Sequence, residues 1–281
     1  MRSKTITGKV VLVTGASSGL GKAIAGHLAS LGHKVYGTSR KPSATAHGFA
    51  ILQADVRSDE SVRRLVDQVI ALEGRVDALV NNAGMGIAGS AEDCSMGDIQ
   101  LQVDTNLLGT IRLCKAVLPH MRRQGSGTII NVSSMASIVS LPFQSYYSAT
   151  KCAIDGFSSA LRSEVKPWGI NVVVIHPGDF QTGFTDSRVL TAAAKLQDSV
   201  YFDQFHETLA VYESDERDGA RPETMARLIA RVLSKRSPRH SYLVGKTGQK
   251  LSMFIKKILP SKIFTPLMES SYKISSRPKA R

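Results

Sequence analysis

Cysteine is scarce in this chain. The three present, Cys94, Cys114 and Cys152, form no CxxC pair and leave an odd count, which excludes a disulfide framework and reads as reduced intracellular thiols. The seven histidines stand at no metal-ligand spacing to one another or to the cysteines, so no structural zinc is expected. No apolar run reaches the roughly 18 residues that a membrane-spanning helix needs. The opening MRSKTITGKVVLVTG has a basic start, but its apolar run is too short for a signal peptide. A cytoplasmic protein is expected. No Pro/Gly/Ser-rich linker, repeat or low-complexity block interrupts the 281 residues, so one large domain is expected. A chain of this size buries about three quarters of its unfolded surface.

Acids are scarce at one end. Of the net charge of +13, nearly all lies between Lys235 and Arg281, where twelve Lys or Arg stand against the single acid Glu269. The rest is a nearly neutral body. In the tail, KLSMFIKKIL sets Leu251, Phe254, Ile255, Ile258 and Leu259 at i, i+3, i+4, i+7 and i+8. They form one apolar stripe with Lys250, Lys256 and Lys257 off it, and Pro260 ends the run. Two readings stand for residues 250–281: a helix lying on an anionic membrane surface, or one packed on the body as a lid or interface. Nucleic acid is not an expected partner, because no recognised module accompanies the charge.

Short β-branched runs are plentiful. Strands are expected at 9–14, 34–38, 49–54, 76–81, 127–132 and 171–176, with a weaker one at 241–244. Their continuous Val, Ile and Leu suit strands buried on both faces. Helical periodicity fills 20–31, 59–73, 98–123 and 147–166. Strand and helix in alternation imply right-handed βαβ units. The expected fold is α/β: a single-domain, Rossmann-type, doubly wound parallel sheet of about seven strands with helices on both faces. It spans 1–245, followed by a basic amphipathic tail, 246–281. Residues 183–221 show no strong strand and only weak helix, which suggests a substrate-covering lid or a surface loop.

The first turn, VLVTGASSGLGKAIAGHLA, joins a strand to a helix through Gly15, Gly19 and Gly21. Glycines there let the backbone approach a ligand, and the helix offers free N–H groups and its positive dipole end to a pyrophosphate. GASSG also satisfies the G-x-S-x-G of serine hydrolases. It follows the first strand, however, where earlier strands should supply an oxyanion loop, and no acid-then-histidine pair is evident downstream. Arg40 ends the second strand nineteen residues after Gly21, with no acid nearby. A carboxylate there would bond a ribose 2′-OH, whereas a guanidinium forks onto a 2′-phosphate, so NADP(H) is favoured over NAD(H).

In YYSATK, Tyr147 and Lys151 are four apart and share a helix face. An ammonium beside a phenol favours the phenolate, so a lowered Tyr147 pKa and a usable proton donor are expected. An ordinary exposed Tyr/Lys pair is the alternative.

With these pieces in place the chain resembles the short-chain dehydrogenase/reductase family over roughly residues 8–245. The resemblance rests on TGASSGLG (14–21), NNAG (81–84), NVSS (131–134), YSATK (147–151) and PG (177–178), in that order. It implies a carbonyl reductase or hydroxysteroid- or retinol-dehydrogenase-like enzyme with Tyr147 as general acid/base. Ser134 would hydrogen-bond the reacting oxygen, and Lys151 would lower the Tyr147 pKa and hold the nicotinamide ribose. Asn106, in VDTNLLG, would link Lys151 to solvent through its backbone and a water; satisfying neighbouring backbone is its alternative role. The cofactor would be held by Gly15, Ser17, Ser18, Gly19, Leu20 and Gly21, by Arg40, and by Asp55 and Val56 beside the adenine. Asn82, Ala83 and Gly84 would pass the adenosine ribose, and Pro177, Gly178 and Thr182 the nicotinamide end. The resemblance also implies a homodimer or homotetramer paired through the helices around 98–123 and 147–166. Phe184, Leu190, Val200, Tyr201, Phe202 and Phe205 in the lid lean toward a lipophilic ketone or secondary alcohol of steroid, retinoid or acyl type. A non-catalytic NADP(H)-binding regulatory protein on the same fold is the competing function.

Overall fold

Strand β1 (Val10–Val13) sets up the architecture: Val10 and Leu12 join one core, Val11 and Val13 the other, and all four are buried. Such a strand needs cover on both faces. The computed structural model describes residues 8–42 and 48–275. In it, β2 (Lys34–Ser39), β3 (Ala50–Gln53), β4 (Ala78–Asn81), β6 (Gly127–Val132), β7 (Ile170–Pro177) and β9 (Ser241–Val244) join β1 in a seven-stranded sheet. The order is β3-β2-β1-β4-β6-β7-β9, with every pair parallel. A separate two-stranded ribbon pairs β5 (Ile87–Ala88) with β8 (Val189–Leu190).

Helices α1 (Gly19–Ser30) and α7 (Pro222–Leu233) cover one face, with Ile24, Leu28, Met225, Ile229 and Val232 packed on Val11, Val13 and Val80. On the other face α2 (Asp59–Glu73), α4 (Gly109–Gln124) and α5 (Ser145–Val165) bring Leu65, Val69, Leu113, Val117 and Leu161 onto Leu12, Leu79 and Ile129. Helix α2 is bounded by local chemistry. The Ser58 side chain accepts the Ser61 N–H at its start, and Gly74, at φ 70°, ends it in a left-handed turn. Strand order reverses between β1 and β4, and the crevice this opens at the carboxyl ends is the standard ligand position of such sheets.

Three expectations need correction. The single helix over 98–123 is two, α3 (Met96–Val103) and α4, joined by a π-helical turn at Asp104–Leu108. The segment 183–221 is not weakly helical, because it holds the 16-residue α6 (Phe202–Arg217). Its buried stripe of Phe205, Thr208, Leu209 and Tyr212 has helical spacing, but two polar-tipped residues within it blur the signal. Within the tail, α8 (Thr247–Ile258) and α9 (Ser261–Ser271) meet at Pro260. The stripe read from sequence is split: Ile255 and Leu259 pack with buried Met253 and Phe264 against Met135 and Val139, while Leu251, Phe254 and Ile258 face solvent.

Candidate active site

A cleft of about 1320 Å³ runs along the carboxyl ends of the central strands. Every expected catalytic and cofactor-binding residue lines it except Gly21 and Asn106, which stand behind its wall. Gly21 could carry no side chain, since a Cβ there would lie 2.1 Å from the Gly15 carbonyl oxygen. Gly15 itself adopts φ +66°. Thr14 ties this turn to β4: its Oγ1 accepts the N–H groups of Asn82 and Ala83, both at 2.9 Å. Asn82 Nδ2 returns a bond to the Thr14 carbonyl at 3.0 Å. Ser18 stands at the N-cap of α1 but its side chain caps nothing, so the first N–H groups of the helix remain available at the cleft. A glycine cradle under an uncapped helix N-terminus fits a dinucleotide's pyrophosphate.

At one end of the cleft Arg40 and Lys41 follow β2, beside Asp55 and Arg57. Asp55 is held by Arg57 through Nε at 3.0 Å and NH2 at 2.6 Å, and these bonds keep its carboxyl below the usual range. Its charge is matched, leaving a cationic rim.

At the other end lie Ser134, Tyr147 and Lys151. Helix α5 is fixed there by a buried polar chain: Asn81 Nδ2 donates to Asn131 Oδ1 at 2.9 Å, and Asn131 Nδ2 to Ser158 Oγ at 2.8 Å. Lys151 Nζ donates to the Val132 carbonyl at 2.9 Å and stands 5.6 Å from the Tyr147 ring centroid. Ser133 Oγ donates to the Lys151 carbonyl at 3.1 Å, so it braces the helix, while Ser134 stands close enough to the Tyr147 hydroxyl to favour its ionised form.

The expected acidic phenol is corrected here. Burial pushes Tyr147 up to about 12, outweighing the lowering by Ser134. Burial also lowers Lys151 to about 8, against the opposing pull of Asp155. Spacing made the two neighbours, but with the amine turned onto a backbone carbonyl, desolvation decides both protonation states. Asn106, in the π-helical turn, clamps Met85: Oδ1 accepts its N–H and Nδ2 donates to its carbonyl, both at 2.9 Å. The Asn106 carbonyl accepts from Thr110 Oγ1 at 2.9 Å. Its side chain thus satisfies neighbouring backbone.

Residues 9–192 match the family described as short chain dehydrogenase. The chain belongs to that family. This dehydrogenase is 41% identical over 266 residues to a 3-ketodihydrosphingosine reductase of Bacteroides thetaiotaomicron, covering 95% of this chain and 98% of that protein. It is 33% identical to human 17-beta-hydroxysteroid dehydrogenase type 1, over 83% of this chain and 76% of that one. A short-chain dehydrogenase structure from Streptomyces avermitilis superposes with a TM-score of 0.78 at 29% identity, covering 93% of this chain and 96% of that one. The chain is therefore an oxidoreductase that interconverts CH–OH and C=O groups with a nicotinamide cofactor.

The remaining lining of the dehydrogenase's cleft escaped the sequence reading. From α6 come Tyr212, Asp215 and Glu216, from the tail Gln249, Ser252, Met253, Met268 and Tyr272, and beside Gly178 stands Asp179. Gln249 bonds both the Asp179 backbone N–H and its carboxylate. Burial, then Glu216 and Asp215, raise Asp179 to about 6. Glu216 is bonded by Thr185 and by buried Arg188. Among the described residues no group of three His, Cys, Asp or Glu could hold a metal ion, and no helix is long and apolar enough to cross a membrane. Of the apolar lid residues, Phe184 lines the cleft 6.2 Å from the Tyr147 ring. Phe205 instead builds a small core with Leu209, Ala88 and Ala194, and Val200 is 83% exposed. Asp215 and Glu216 lie on α6, whose helical pattern is weak in the sequence, so only recognising that helix would bring them to Asp179.

Proposed function

We propose that this enzyme is an NADP(H)-dependent reductase of a lipophilic ketone that carries an amine near the carbonyl, as 3-ketodihydrosphingosine does. One observation carries the reading: Ser134, Tyr147 and Lys151 share a single cleft with Asp179, Asp215 and Glu216. An ammonium set among those carboxylates relieves their mutual repulsion, which already weakens the ionisation of Asp179. Apolar side chains from Phe184, Met253 and Met268 line the same space and suit an alkyl chain. At the far rim Arg40 would fork onto a 2′-phosphate, the reason for preferring NADP(H).

When bound, the nicotinamide supplies the hydride. Tyr147 gives its proton to the carbonyl oxygen, and Ser134 donates a hydrogen bond to that oxygen as charge builds on it. Lys151 stabilises the phenolate left behind and holds the cofactor ribose. Asn106 contributes through the backbone it orders. Two copies pair through the outer faces of α4 and α5; a monomer at every concentration in light scattering would count against that assembly.

The test is NADPH oxidation with 3-ketodihydrosphingosine, with a long-chain ketone lacking the amine, and with a simple steroid ketone. The amino ketone should be reduced fastest. Tyr147→Phe should cut turnover by about 10³-fold while NADPH still quenches protein fluorescence with wild-type affinity. Tight NADPH binding with no turnover on any ketone or alcohol would favour the regulatory reading instead.

A further inference from the structure

We propose that α8 and α9 dock the enzyme on an anionic lipid bilayer surface. Five large apolar side chains on these helices are more than half exposed: Leu251 (55%), Phe254 (58%), Ile258 (64%), Ile263 (53%) and Leu267 (58%). On α8 they recur at i, i+3 and i+7, and on α9 at i and i+4, so each helix presents a stripe. Another face of each helix, Met253 on α8 and Phe264 on α9, is already buried against the body, so the helices are seated and the exposed residues are not a core left unfilled. Concentration of exposed apolar surface in one segment marks an interaction site rather than scatter.

Charge selects the occupant. Lys250, Lys257, Lys262 and Lys273 are exposed beside these residues, and Glu269 is the only acid from Thr247 to Ser275. A symmetric contact with a second copy would bring the lysines of both chains together. An anionic bilayer offers the reverse, with phosphates for the ammonium groups and an acyl boundary for the apolar stripe. Met253 of α8, Met268 of α9 and Tyr272 just beyond it line the substrate cleft, so docking here sets the cleft wall against the lipid. A lipophilic substrate could then enter without crossing water. The docking itself stands whether or not the amino-ketone reading holds.

Sedimentation of the full chain with vesicles tests this. Phosphatidylcholine vesicles containing phosphatidylglycerol should bind at low salt about tenfold more tightly than pure phosphatidylcholine, and raised salt should release the protein. Leu251→Ser/Phe254→Ser/Ile258→Ser should weaken binding about tenfold, as should Lys250→Ser/Lys257→Ser/Lys262→Ser. Both triple variants change exposed positions and should keep the wild-type circular dichroism and the wild-type rate with a short water-soluble ketone. Equal binding to both vesicle types, no binding to either, or binding indifferent to both triple variants would overturn the proposal. So would light scattering in which the apolar variant dissociates an oligomer while the wild type ignores vesicles, because the face would then join copies of the chain.

Discussion

Replacing Lys151 with methionine should make the protein more stable near neutrality while stopping catalysis. Lys151 is 6% exposed, and burial lowers its pKa from the ordinary 10.5 to about 8. In the unfolded chain the amine keeps its proton up to 10.5; in the folded protein it releases it near 8. Below 8 both states are protonated and the cost of burying the cation is fully present. Between 8 and 10.5 the unfolded state binds more protons, so wild-type stability rises with pH until the cost is gone. A shift of that size corresponds to about 3 kcal/mol. Methionine fills a similar volume without the charge, but it strands the Val132 carbonyl that Lys151 Nζ satisfies at 2.9 Å. That loss costs about 1–3 kcal/mol. The net gain at pH 7 is therefore about 0–2 kcal/mol.

The pH dependence is the sharper test, because the stranded carbonyl costs the same at every pH. Urea unfolding of the cofactor-free wild type and Lys151→Met at pH 7 and pH 9.5 should give a stability difference that moves by about 2 kcal/mol in favour of the wild type at the higher pH. Other titrating groups act on both proteins and cancel. A difference that does not change between the two pH values would refute the buried, proton-releasing amine and with it the account of the Tyr147–Lys151 pair.

Further outcomes follow from the rest of the cleft. Arg40→Ser should raise KM for NADPH by about 10- to 100-fold, the worth of a charge-assisted pair, and leave KM for NADH nearly unchanged; steady-state kinetics with both cofactors decides it. In the wild type, affinity for an amino ketone should weaken as pH falls through about 6, where Asp179 takes up a proton and stops attracting the ammonium. Asp179→Asn should start with weak affinity and lose that pH dependence, seen in KM profiles from pH 5 to 8. Asn106→Ala strands the Met85 N–H, which Asn106 accepts at 2.9 Å, while the Met85 carbonyl keeps its bond from Gln102 Nε2 at 2.7 Å, and should destabilise the protein by about 1–3 kcal/mol in urea melts.

Much of this molecule is legible in one dimension, for reasons its residues make plain. The central strands carry unbroken Val, Ile and Leu because both faces are covered, so VVLV and GTIINV announce themselves without their neighbours. The glycine turn is legible because the clash that forbids a side chain at Gly21 is local, 2.1 Å from an oxygen six residues back. Helix α6 was hidden because Thr208 and Tyr212 interrupt its apolar stripe, and their acceptors, the Gln204 and Pro142 carbonyls, are visible only in the fold. The π-helical turn left no trace either. No proline or glycine breaks Asp104–Leu108, and what holds it is Asn106 reaching a backbone 21 residues away.

The Tyr147–Lys151 pair marks where this legibility ends. Helical spacing places the two side chains together, and that much needs only the number four. The sign of the pKa shift needs the third dimension, because it compares two large opposing effects, Coulomb attraction and desolvation. Here the enclosing residues make desolvation the larger, raising the phenol to about 12 and dropping the amine to about 8. An ammonium can acidify a phenol only while it keeps its own proton, and burial works against that. An anionic group beside Lys151 would restore its charge and so the phenol's acidity, which couples proton transfer at Tyr147 to whatever fills the cleft. The expected signature is a Tyr147 absorbance shift toward phenolate at lower pH with NADP+ than without it, and the Lys151→Met protein should show no such cofactor-induced change.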